Sequence, residues 1–184
     1  MALNRRAFLK STALSTAGLA LAPAPFASEG GSGLNAQYER IGKVAPVPGR
    51  DIESSPLSVG FEVLDRKGFE PERCYDSVAN LGVKWARCQT GWCRCETVKG
   101  EYDFAWLDDV VDSLLRGGIT PWFNLGYGNR LYTPDAPDEF AVGWAPVFSE
   151  EAMAGWLRFT ENLARHFKDR VKHWEIWNEP NITH

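Results

Sequence analysis

The stretch His173-Trp174-Glu175-Ile176-Trp177-Asn178-Glu179-Pro180-Asn181 decides how the chain is read. Trp174, Ile176 and their neighbours make a short apolar run suited to a buried strand. The run stops at Asn178-Glu179-Pro180, because proline cannot donate to a ladder and biases the residue before it away from helix. Glu179 therefore falls where a strand leaves its sheet, beside the amide of Asn178 and just after the indole of Trp177. In a parallel α/β barrel the carboxyl ends of the strands are where chemistry is placed. A carboxyl group shielded by aromatic rings is expected to have a raised pKa, which suits a general acid.

Upstream of that stretch, strands alternate with helices from Ser58 onward. Val59–Leu64 reads as a first strand. Pro71 opens a helix with Cys74, Val78 and Leu81 on one face, closed by Gly82. Val83–Arg87 is a second strand. Asp103 is placed to cap a helix whose stripe is Phe104, Leu107, Val111 and Leu114, ended by Gly117-Gly118. Ile119–Leu125 is a third strand, weakened by Pro121. After an irregular segment, 126–148, Ser149 caps a long helix with Glu150 and Glu151 in its first turn. The predicted inward face of that helix is Met153, Trp156, Leu157, Thr160, Leu163, Ala164 and Phe167. Repeated strand–helix units imply a parallel sheet with right-handed crossovers.

The run Trp177-Asn178-Glu179-Pro180-Asn181 resembles the strand-four signature of the clan A glycoside hydrolases. The wording from Glu175 to Asn181 is most similar to family 39, whose members include β-xylosidases and α-L-iduronidases. The resemblance covers residues 58–184 and implies an α/β fold that is the first half, four β–α steps, of a (β/α)8 TIM barrel. A complete barrel has eight such steps in about 250 residues, so the chain is expected to be a truncated or partial barrel. The implied activity is retaining hydrolysis of β-linked glycosides, with Glu179 as acid/base and Asn178 bonding the sugar 2-hydroxyl. Such chemistry needs a second carboxyl group about 5–5.5 Å away, and the resemblance places that nucleophile on strand seven. The 184-residue chain alone is therefore expected to hydrolyse nothing.

Further site residues follow from the same resemblance. Arg87 ends the clan-like stretch Gly82-Val83-Lys84-Trp85-Ala86-Arg87, where an arginine orients the nucleophile carboxylate through charge-assisted hydrogen bonds. Trp92 lies in the loop Gln89-Thr90-Gly91-Trp92, ahead of the similar stretch Gly100-Glu101-Tyr102-Asp103-Phe104, and either stacks on a sugar face or packs under the loop. Tyr127 and Asn129, just beyond strand three, are candidates to bond hydroxyls. The resemblance also implies a histidine near this point, and the sequence has none there. Glu62 and Glu96, near strand ends, are expected to face the sugar or form ion pairs. Carboxyl chemistry of this kind needs no cofactor. The alternative is a non-catalytic carbohydrate-binding protein on a degenerate barrel.

Composition narrows the surroundings. The formal charge of −4, without basic blocks, argues against nucleic acid, and no apolar run is long enough to span a bilayer. Asn4-Arg5-Arg6-Ala7-Phe8-Leu9-Lys10 resembles the twin-arginine export motif. It precedes an apolar stretch and a small-residue cleavage site, Ala22-Pro23-Ala24. Residues 1–24 are read as this signal and 25–57 as an irregular, Gly/Ser/Pro-rich lead-in, with the product periplasmic or extracellular. The four cysteines, Cys74, Cys88, Cys93 and Cys95, are spaced poorly for zinc. Export favours disulfides, in any of three pairings, although chains folded before export can keep buried thiols. His166, on a polar helix face, and His173 and His184, flanking the last strand, make no metal site. The oligomeric state is left open, although the two raw sheet edges and uncovered core of a half barrel favour self-association or instability.

Overall fold

The structure is a computed structural model that describes residues 41–43 and 45–181. The expected export signal and His184 lie outside the described residues. Every element below belongs to the compact unit that begins at Val44.

Four parallel strands form one sheet in sequence order: β1 (Ser58–Phe61), β2 (Trp85–Gln89), β3 (Thr120–Leu125) and β4 (Trp174–Ile176). With the helices between them, this is a partial barrel of the class expected. The helices among the described residues are α1 (Tyr75–Ala79), α2 (Trp92–Cys95), α3 (Ala105–Arg116) and α4 (Glu150–Phe167). Register makes the sheet two-faced. The transverse row Phe61, Cys88, Phe123 and Trp174 packs into one apolar cluster with Leu107, Val110, Val111 and Leu114 of α3 and Phe159, Leu163 and Phe167 of α4. Burying each large side chain is worth about 1.5–3 kcal/mol relative to leaving it in water. The next row, Gln89, Asn124 and Glu175, must point to the opposite face because strand side chains alternate.

Several sequence expectations shift in detail. Pro121 sits inside β3 without harm. Thr120 N donates to Lys84 O (2.8 Å) and Phe123 N to His173 O (3.0 Å). Alternation turns position 121 toward β4, two residues before that pairing begins, so no ladder bond is lost. The helix expected from Pro71 to Gly82 is instead a 3-10 turn, Pro71–Arg73, followed by α1. Asn80 ends it early: its side-chain amide donates to Asp76 O (2.7 Å) and takes up a last-turn carbonyl. Leu81, expected inside, is exposed.

Ser149 caps α4 as expected, its Oγ accepting from Ala152 N (3.0 Å). The buried stripe, however, is Ala152, Gly155, Phe159, Leu163 and Phe167, rotated from the predicted face. The Tyr132 ring causes this: a Cβ on Gly155 would lie 2.6 Å from Tyr132 Cε1, so only glycine admits the ring. Met153 and Trp156 then line an apolar trough with Trp144, Phe148, Ile176 and Trp177.

Part of the expected lead-in is structured. Val47 bridges Leu81, Gly49–Asp51 forms a 3-10 turn, and Lys84 Nζ donates to both Gly49 O and Gly118 O (2.9 Å each). The expected disulfides are not formed: Cys74, Cys88, Cys93 and Cys95 are all free. Cys88 is committed to the helix-facing row, and buried Cys95 donates to Thr90 O (3.2 Å). Burial, with the Asp65 charge nearby, pushes the Cys93 thiol up to about 12, and burial raises Cys88 and Cys95 as well. Thiols held neutral in this way are poor nucleophiles. Alkylation of the native protein, followed by mass spectrometry, is expected to spare Cys88 and Cys95 and to label all four only after unfolding. Modification-resistant pairs that appear only without reductant would contradict this.

Candidate active site

The polar face of the sheet converges on Arg87. Its Nε and Nη2 donate to Glu175 Oε2 and Oε1 (2.8 and 2.7 Å), a bidentate clamp between neighbouring layers of β2 and β4. Nη1 donates to Glu62 Oε1 (2.7 Å). Nη2 also donates to Asn178 Oδ1 (2.9 Å). The Glu62 side chain folds back beside Gly60, where a Cβ would lie 3.3 Å from Glu62 Oε1. The guanidinium side chain is 15% exposed. The hydrogen bonds from Arg87 hold the Glu175 carboxyl below its ordinary range, against an opposing desolvation cost. Both carboxylates raise the Arg87 pKa in return.

The exit of β4 carries the signature residues. Trp177 N donates to Leu125 O (3.2 Å), and Asn124 Nδ2 donates to Trp177 O (2.7 Å), so β3 holds the turn from both sides. Trp177 (φ 62) and Glu179 (φ 52) are both left-handed, a conformation costing about 1–3 kcal/mol at each non-glycine residue and concentrated at functional sites. The geometry alternates: Trp177 meets the Tyr127 ring edge-to-face at 5.8 Å, and Asn178 turns inward. Its Nδ2 donates to Tyr127 Oη (2.9 Å) and approaches Glu179 Oε2 at 3.3 Å. Arg66 lies over the Tyr127 ring at 5.3 Å. Glu179, Asn178, Tyr127 and Arg87 are thus brought to one mouth of the sheet. Glu179 is exposed, so the aromatic cover expected for it is not formed by the described residues.

Two predicted site residues belong elsewhere. Trp92 is fully buried, stacked between Tyr132 (4.9 Å) and Phe159 (5.9 Å); it packs under the loop and cannot stack on a sugar. Asn129 is buried too. Its Nδ2 donates to Glu96 O (2.8 Å) and its Oδ1 accepts from Leu131 N (2.9 Å), so its amide is spent on backbone. Glu96 does not face the mouth either. It is buried, accepting from Trp92 Nε1, Tyr132 Oη and Gly100 N. Burial and this bond push the Tyr132 hydroxyl up to about 12.

Conversely, Glu175 and Asn124 were not singled out by sequence. A signal existed. Ala86-Arg87-Cys88, Phe123-Asn124-Leu125 and Trp174-Glu175-Ile176 each set one polar residue between apolar neighbours, which in strands means the face opposite the core. Among the described residues no group of His, Cys, Asp and Glu could hold a metal ion, and no helix is long and apolar enough to cross a membrane.

Comparison with known proteins fits this geometry. A sequence profile of the β-galactosidase family Glyco_hydro_42 matches residues 70–124. Beta-glucosidase 1B of Phanerodontia chrysosporium is 26% identical over 86% of this chain and 29% of its own length. The coniferin beta-glucosidase of Pinus contorta is 29% identical over 74% of this chain and 25% of its own. A solved family 39 glycoside hydrolase from the gut symbiont Bacteroides cellulosilyticus WH2 superposes with a TM-score of 0.52 and 25% identity, over 66% of this chain and 24% of that one. A β-galactosidase from the haloarchaeon Halorubrum lacusprofundi, 18% identical with a TM-score of 0.53 over 67% of this chain and 21% of that one, shares the fold. The fold class is therefore that of the TIM-barrel glycosidases. The chain thus resembles glycosidases of several families, and it spans under a third of those relatives' lengths.

Proposed function

We propose that this chain is the acid/base half of a retaining β-glycosidase. Glu179 donates a proton to the leaving glycosidic oxygen and later takes one from the attacking water, while a second carboxyl group attacks the anomeric carbon. The observation that carries the reading is the β4 exit. It places the Glu179 carboxyl against Asn178, on the side that also holds Tyr127 and Arg87. Glu62 and Glu175 serve here as the ion-pair partners of Arg87, one through a single oxygen and the other through both, and neither is assigned the nucleophile's role. The nucleophile is supplied by a later strand, so the 184-residue chain is inactive alone. The β-glucosidase and coniferin β-glucosidase relatives favour β-linked glycosides as substrates. Asn178 and Tyr127 bind sugar hydroxyls, and the protein works outside the cytoplasm after twin-arginine export.

The test is aryl β-glycoside hydrolysis. The 184-residue chain is expected to release no phenol. The eight-stranded protein that contains it is expected to release the sugar with its β configuration retained, seen in early anomeric NMR spectra. Turnover by the short chain, or an inverted product from the complete barrel, would overturn the reading.

A further inference from the structure

Asn178 stands between a group that can only donate and groups that can accept. Arg87 offers N–H donors and no acceptor, so the Asn178 atom it meets at 2.9 Å must be the oxygen. That leaves the NH2 group for Tyr127 Oη at 2.9 Å and Glu179 Oε2 at 3.3 Å. The Arg87 fork is itself held in plane by the bidentate Glu175 contact. Glu62 restrains only Nη1.

We infer that Glu175 is a positioning residue: through Arg87 it locks the side-chain amide of Asn178 with its oxygen toward the guanidinium and its NH2 toward Tyr127 and Glu179. The lock makes Asn178 a hydrogen-bond donor on the substrate side, toward hydroxyl oxygens and the acid/base carboxyl. This deepens the reading of the β4 exit as a glycosidase site, yet its test needs no turnover. The charged and polar groups facing Glu175 are Arg87 from β2, with Glu62 beyond it, and Trp122 and Asn124 from β3. The lock is present while Glu175 is ionised. It is released as pH falls below the ordinary carboxyl value of 4.5, since Arg87 holds the group under it.

The experiment follows the Asn178 side-chain NH2 signals of the 15N-labelled 184-residue chain, assigned by their loss in Asn178→Ala. In the wild-type chain the two protons are expected to be well separated and slow to exchange near neutral pH. Both should move toward the positions of a free asparagine amide below pH 4.5, with the midpoint of the Glu175 carboxyl carbon. Glu175→Gln is expected to speed amide exchange at least about tenfold at neutral pH and to abolish the acid titration. Glu175→Asp should restore part of the protection. A residue that served only packing would change melting without moving these signals. If Glu175→Gln does not fold, the wild-type titration alone decides. NH2 signals indifferent to Glu175 protonation, or a Glu175→Gln chain with unchanged exchange, would overturn the proposal. Failure of the complete barrel to hydrolyse glycosides would instead overturn the functional reading and leave the lock intact.

Discussion

Replacing Glu96 by alanine is expected to remove about 3–5 kcal/mol of folding stability, a loss of the size seen when a buried polar network is cut. Three donors converge on this one carboxyl group: the Trp92 indole, the Tyr132 hydroxyl at 2.6 Å and the Gly100 amide at 2.7 Å. Alanine leaves all three inside the protein with nothing to accept them. The damage spreads, because Trp92 stacks on both Tyr132 and Phe159 and Phe159 is a core residue of α4. Glu96→Gln separates geometry from charge. Its carbonyl accepts one or two of the donors while its NH2 opposes another, so about 1–2 kcal/mol should be lost. Urea midpoints at constant m-value measure both. Equal losses for the two variants, or a loss under about 1 kcal/mol for alanine, would mean that the loops after β2 and β3 are held by something other than Glu96.

Glu179→Gln in the complete barrel is expected to lower kcat on β-glycosides by about 10²–10⁴-fold, the range for a lost general acid–base. Glutamine keeps the size and the Asn178 contact but has no proton to give. Binding should persist, so KM should not rise. The deficit should be greatest for alkyl glycosides, whose leaving groups need protonation, and least for nitrophenyl glycosides. A variant that loses affinity and keeps kcat would assign Glu179 to binding.

The parts of the molecule legible in the sequence are those governed by local rules. Ser149 with Glu150 and Glu151 announced the start of α4, and the apolar stripe Phe104, Leu107, Val111 and Leu114 announced α3. The motif at the β4 exit located Asn178 and Glu179 at a strand end, where they are found. What local rules could not show is which loop residue turns inward. Trp92 and Asn129 follow β2 and β3 in stretches whose sequence fits a sugar site, but their side chains are drawn into the Glu96 clasp, which Asn129 and Tyr132 reach from more than thirty positions away. The α4 stripe is hidden for a similar reason: Gly155 offers no apolar side chain, so the pattern conceals the place where Tyr132 enters. Glu175 is inconspicuous in the sequence because it lies within an apolar run. Its place between Trp174 and Ile176 hints at the polar face, and the register with Asn124 and Gln89 fixes it.

The central claim, that Glu179 both donates the proton and later accepts one from water, is tested most directly by azide. In the complete barrel, Glu179→Ala should still be glycosylated by a nitrophenyl β-glycoside, whose leaving group departs without a proton, and then stall for want of a base. Azide needs no deprotonation to attack. The account predicts that it restores turnover and yields the β-glycosyl azide, with configuration retained. Glu179→Ala turnover unaffected by azide, with free sugar as the sole product, would contradict it.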